Sequence, residues 1–198
     1  MDDHPMNISI EPDKGAVEAW EKASQGVVKP EAFKRALALA VNRTLAQTRA
    51  EAIRQAMAQY AVKRKSLLDA IRTRPASASA PSAELTFTGP RIPLMQFIVK
   101  PSGPISFKGK PRQGRPQLYV QVRKDGGGPA KGLFVANMGK EPAVYKRKTP
   151  KRFPVSAEKG PSIVSMVGNE TARQAIQEKA REALEKRIDH EMNRLMQK

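Results

Sequence analysis

Two short basic runs hold the side chains most able to do chemistry. The stretch Lys146-Arg147-Lys148-Thr149-Pro150-Lys151-Arg152 carries five cations in seven positions. The stretch from Lys108 to Arg115 reads KGKPRQGR, with Lys108, Lys110, Arg112 and Arg115 spaced by Gly and Pro. Such runs hold phosphates by displacing condensed counterions. They suit a pair of solvated loops equally well. Neither run is densely interleaved with aromatic residues, so no base-stacking platform is expected.

The charge around these runs is lopsided. The chain has 198 residues and a formal net charge of +17. Residues 1–30 hold three basic and six acidic groups, while residues 76–160 hold sixteen and four. The positive field therefore belongs to the middle of the chain. It favours nucleic acid or an acidic protein surface as partner. A basic surface serving only solubility is the plainer alternative.

Other chemistries lack their residues. There is no Cys, which excludes disulfides and thiolate metal sites. His4 and His190 are the only histidines, so a His-based triad or multi-His metal centre is not expected. No GxxxxGK[ST] or GxGxxG follows a strand, and no GxSxG occurs. The acidic residues gather in the N-terminal segment and the C-terminal helix, where mixed charge on a wet face explains them. An enzyme is not expected, and no cofactor is called for. No apolar run reaches the ~18 residues of a membrane span. The opening MDDHPMN lacks the basic and apolar regions of a secretory signal.

The elements that must carry the basic runs follow from periodicity. Residues 30–60, PEAFKRALALAVNRTLAQTRAEAIRQAMAQY, contain one Pro at the start and no Gly. Phe33, Leu37, Ala40, Val41, Leu45, Ala52, Ile53, Ala56, Met57 and Tyr60 recur at helical spacing. The spacing predicts one helix of about 45 Å, a spine for other elements, with Asn42, Arg43, Arg49, Glu51 and Arg54 on its wet side. Residues 6–11 predict a short edge strand, and 16–24 a short helix with Trp20 as a core anchor against the spine. Residues 61–71 predict a second short helix with Leu67, Leu68 and Ile71 on its apolar face. From Thr171 to Gln197 a C-terminal helix follows, capped by Asn169, with Ile176, Leu184, Ile188 and Met192 on its stripe. Glu182–Lys186 and Arg187–Glu191 are its favourable pairs, four apart.

Between the helices the pattern changes. The Ser-, Ala- and Pro-rich stretch 76–83 reads as a connection between residues 1–75 and a β-rich basic core at 84–157, with 158–198 as loop and closing helix. Strands are predicted at 84–88, 92–100, 104–108, 117–123, 131–138 and 143–148. The fold class is α+β: N-terminal helices including one long helix, a central small antiparallel β-sandwich or barrel, and a C-terminal helix. Residues 84–198 are expected to pack on the long helix as one domain.

The motifs in this order resemble the phage minor tail protein Z family, the tail completion proteins of long-tailed phages. Four parts carry the likeness: the helix 36–67 with Asn42-Arg43-Thr44 and its KRK run; Arg91-Ile92-Pro93-Leu94-Met95-Gln96-Phe97; the pair Gly132-Leu133-Phe134-Val135-Ala136 and Ala143-Val144-Tyr145-Lys146-Arg147; and Phe153-Pro154-Val155 with Gly160-Pro161-Ser162-Ile163 and a closing helix ending HEMNRLM. They span most of the chain after residue 30. The chain departs from that pattern in the Pro- and Gly-rich basic stretch 101–116. The resemblance implies a virion structural protein at the head-proximal end of the tail, made in the host cytoplasm. It implies assembly with itself as a ring, such as a hexamer, around the DNA channel. Tail-terminator, tail-tube or neck proteins would be its neighbours, with genomic DNA in the channel and no membrane. The charge alone supports a different reading, a sequence-independent nucleic-acid-binding protein.

Overall fold

A computed structural model describes residues 4–104, 117–139 and 141–197. The chain is mixed α+β. It begins with strand β1 (Met6–Ile10) and helix α1 (Lys14–Ser24), then the long helix α2 (Pro30–Gln59) and the short α3 (Arg64–Asp69). Strands β2 (Ile71–Arg74), β3 (Ala83–Phe87), β4 (Ile98–Lys100), β5 (Leu118–Gln121), β6 (Gly128–Ala130), β7 (Leu133–Ala136), β8 (Ala143–Arg147) and β9 (Val155–Ala157) follow. Helices α4 (Ile163–Val167) and α5 (Glu170–Met196) close the chain.

Helix α2 starts at Pro30, whose missing N–H is harmless in a first turn. It packs along α5 more extensively than any other two elements pack, and also meets α4, β3, α3 and β1. Its buried arc is therefore wider than the single stripe of an amphipathic helix. Ala36, Ala40, Ala52 and Ala56 face inward, as do Ala172, Ala180 and Ala183 of α5. Small side chains on both helices let the backbones approach closely. Two buried hydroxyls interrupt this apolar seam, and each is hydrogen-bonded: Thr44 donates to the Ala40 carbonyl and Thr48 to the Thr44 carbonyl.

Two carboxylates assigned to wet faces by periodicity are in fact buried. Glu51 is held by its own helix: Arg54 donates Nε and Nη2 at 2.8 and 2.7 Å, and Gln55 donates at 2.6 Å. These bonds, the Arg54 ones foremost, lower the Glu51 pKa against the opposing pull of burial. Glu191 of α5 is completely buried and takes Arg43 of α2 on one oxygen. Arg194 stands 2.8 Å from the other oxygen. The expected Arg187–Glu191 pair is thus replaced by pairs with Arg43 and Arg194, because Glu191 turns into the helix–helix seam. Lys186 does meet Glu182, at 2.6 Å.

The β content is divided among three antiparallel sheets of three strands, ordered β1-β3-β2, β4-β5-β6 and β7-β8-β9. In the first, β3 is central, and Ala83, Leu85 and Phe87 alternate inward. Strand β1 lies at its edge, as expected, with Ile8 and Ile10 buried. Strand β2 was not expected. Ile71, read as the end of a helix face, opens this strand opposite Phe87 instead. The Pro-rich stretch after it is tied to the spine: the Asn42 amide donates to the Ala76 carbonyl at 2.9 Å and accepts the Ala76 N–H at 2.8 Å.

The predicted strand over 92–100 is shorter, because a 3-10 turn at Leu94–Gln96 precedes β4. The segment leads back to 158–161. Leu94 N–H donates to Glu158, Gly160 N–H to Ile92 and Ile92 N–H to Pro161. The Arg91 side chain donates to the Gly160 carbonyl at 3.1 Å. Trp20 is half-buried against the core. Asn169 caps α5 by accepting the Ala172 N–H at 2.8 Å, as expected. Among the described residues no helix is long and apolar enough to cross a membrane.

Candidate polyanion-binding face

Pairing of β7 with β8 assembles the site. The register sets Phe134 opposite Tyr145 and Val135 opposite Val144, and β9 adds Val155 opposite Arg147. Directly opposed residues share a face, and neighbours alternate. Val135 and Val144 point into the core and are buried. The other face carries Phe134, Tyr145, Arg147 and Val155, all half-buried or exposed.

On that face the Phe134 and Tyr145 rings lie 6.1 Å apart at 31°. The Arg147 guanidinium sits 4.9 Å above the Phe134 ring. It also donates through Nη1 to the Arg152 carbonyl, across the β8–β9 connection. The Arg152 guanidinium in turn lies 5.6 Å from the Phe153 ring, and Phe153 is 56% exposed. Phe134, Arg147, Arg152 and Phe153 therefore touch one another in an unbroken series. Each cation–ring contact at such an exposed site is worth roughly 0.5–1 kcal/mol. Its more useful effect is orientation. A guanidinium lying on a ring keeps N–H groups at its edge free for a bidentate anion.

The remaining cations of the run are exposed. Lys148 continues the ladder, donating its backbone N–H to the Pro154 carbonyl at 3.1 Å. Lys151 lies in the connection beside it. Lys146 falls on the opposite face by alternation, beside Leu133 and Ser156 in the register. The structure thus gathers Arg147 and Arg152 with the aromatic rings and sets Lys146 apart.

Among the described residues, no carboxylate lies within ion-pair distance of Lys146, Arg147, Lys148, Lys151 or Arg152. Four arginines elsewhere do have such a partner, Arg54 with Glu51, Arg123 with Asp125, and Arg43 and Arg194 with Glu191. An unneutralised set of cations on a rigid sheet is a ready site for a polyanion. The expected sites Lys108, Lys110, Arg112 and Arg115 lie outside the described residues.

Sequence reasoning passed over Phe134, Tyr145 and Phe153. The basic runs lack interleaved aromatics, but strand pairing imports rings from β7 and from the residue after the run. Their signal in the sequence was the alternation in LFVA and AVYKR, which puts Phe134 out of phase with Val135 and Tyr145 in phase with Arg147.

Among the described residues no group of three or more His, Asp or Glu side chains is placed to hold a metal ion, and both His4 and His190 are exposed. No family model, curated protein or solved structure matches the chain. Any functional assignment therefore rests on the residues themselves.

Proposed function

We propose that this chain is a structural protein of the head-proximal end of a phage tail, completing the tail and enabling it to join a DNA-filled head. The reading starts from the resemblance to the tail completion proteins. One observation carries it: the motifs that make up the likeness bond to one another in the fold. Arg43 of the first motif holds Glu191, within the closing HEMNRLM segment of the fourth. Arg91 and Ile92 of the second hold Gly160 and Pro161 of the fourth. Arg147 of the third pairs with Val155 of the fourth in the β8–β9 register. These contacts make the motifs parts of one packed framework, and that is the support the reading draws from the fold.

In this role the protein acts through surfaces and no covalent step is required. It assembles with itself or on a tail partner, as a ring subunit around the DNA channel. Deleting its coding sequence from the phage that carries it leaves heads and tails that fail to join. Normal infectious particles from that deletion exclude the proposal. Light scattering on the purified protein, nuclease-treated and at high salt, separates a self-assembled ring from a monomer that awaits its partner.

A second reading is favoured by the unpaired cations around Arg147 and Arg152: sequence-independent binding of nucleic acid. It expects affinity that falls steeply with salt. It is compatible with the first reading, since a ring around DNA can use such a face.

A further inference from the structure

We infer that the outward face of the β7–β8–β9 sheet binds single-stranded nucleic acid in preference to duplex, with phosphates at Arg147 and Arg152 and an unpaired base on the Phe153 ring. The inference rests on the nucleic-acid reading and goes beyond it in naming the form of the ligand.

Three observations lead there. First, Arg147 is held in place before any ligand arrives, by the Phe134 ring beneath it and the Arg152 carbonyl beside it. A pre-positioned planar fork loses little conformational freedom when it takes a phosphate. Second, Arg152 stands beside it and Lys148 and Lys151 belong to the same run, all without a carboxylate partner among the described residues, so this end of the sheet attracts a polymer of regular negative charge. Third, Phe153 is exposed in the midst of these cations. A phenyl ring set among phosphate-binding groups has little to contribute to a bare polyanion or to the outside of a duplex. It has a clear partner in a base, whose flat face is open only when the strand is single.

An acidic protein surface is the rival occupant. Carboxylates would satisfy the same arginines, but they leave Phe153 without a flat apolar partner at each charge. The observations favour a ligand in which every anion comes with a ring.

The test is fluorescence anisotropy with a labelled thymidine oligomer and with a mixed-sequence duplex of the same length, over a salt series. The single strand is expected to bind about tenfold more tightly than the duplex. Phe153→Ala should abolish that margin while leaving the slope of log affinity against log salt unchanged. Phe153→Leu, which keeps apolar bulk without an aromatic face, should behave like the alanine variant. Replacing Lys148 and Lys151 with Gln should weaken both ligands and reduce the single-strand salt slope by roughly 0.7 for each phosphate that is no longer neutralised. Equal binding of the two polymers, or a margin that survives Phe153→Ala, overturns the inference but leaves the nucleic-acid reading standing. If the folded protein binds neither polymer at low salt, both fall. Salt-sensitive self-association that disappears in Arg147→Gln, with no nucleic-acid binding, would give the face to an acidic segment of a second copy of the chain instead.

Discussion

Arg43 and Glu191 meet across the α2–α5 seam, although 148 positions separate them. Glu191 is completely buried, while the Arg43 side chain is about half exposed at 48%. The arginine therefore bridges from solvent to a carboxylate that water cannot reach. Arg194 reaches the same carboxylate from within α5. Of the two guanidiniums on this buried acid, only that of Arg43 ties the two longest helices together; that of Arg194 belongs to the same helix as Glu191.

Breaking this contact on one side should be costly. Arg43→Ala leaves Glu191 buried with only Arg194 for company, and is expected to lose about 2–3 kcal/mol. Replacing all three residues with Met should recover much of that loss, because the desolvated charge disappears as well. Urea denaturation monitored by circular dichroism reads both values. Equal losses in the single and triple variants would show that the pair itself, not the orphaned charge, is what matters.

The acid limb of stability should depend on Glu51 and Glu182. Lys186 and Lys179 hold the Glu182 carboxyl down at about 2, from an ordinary 4.5. Arg54 lowers Glu51 in the same direction. A carboxyl depressed in the fold stabilises it fully above the unfolded value, and that contribution is lost as pH falls through the folded value. Melting temperatures should thus drop as pH is lowered from about 4.5 toward 2. Glu182→Gln should make the drop shallower at low salt. The Glu182 contribution is exposed and should fade at high salt, while that of the buried Glu51 should persist. A Glu182→Gln protein with an unchanged acid profile at low salt would contradict this.

Gly160 is close to Phe97 for a physical reason. A Cβ on Gly160 would lie 2.5 Å from Phe97 Cε2 and 2.7 Å from Cζ. The Phe97 ring is itself buried, at 4% exposed, and has little room to retreat. Gly160→Ala is expected to destabilise by roughly 1–3 kcal/mol through overpacking. Pairing it with Phe97→Leu should restore part of the loss. Thermal melts of the two single variants and the double variant form the cycle that checks it.

Asn42 should matter more than its half-buried position implies. Its amide makes two bonds to the backbone of Ala76. Asn42→Asp keeps the acceptor and removes the donor. Asn42→Ala removes both. The expected losses are about 1 and 2 kcal/mol respectively. Hydrogen exchange of the Ala76 amide should rise in the alanine variant and stay low in the aspartate one. Equal protection in both would place the amide's restraint elsewhere.

Local structure was legible because it depends on neighbours in sequence. Pro30, the run of strong helix formers and the three-and-four spacing define α2, and Asn169 marks the start of α5. The alternation of β3 and β8 shows in their residues as well. So does the concentration of positive charge in residues 76–160. These are properties of periods and propensities, which a linear chain displays directly.

Tertiary structure alone decided which residues meet. Glu51 and Glu191 look like surface carboxylates on a helical wheel, yet each is buried, because α2 is covered on several sides and α5 lies against it. Ile71 left its helix for a strand because β3 offered a ladder opposite it. The basic run became a structured face only when β7 brought Phe134 under Arg147. No local period encodes such a pairing. It depends on register and on burial shared between distant segments, and both are set by the packed core as a whole.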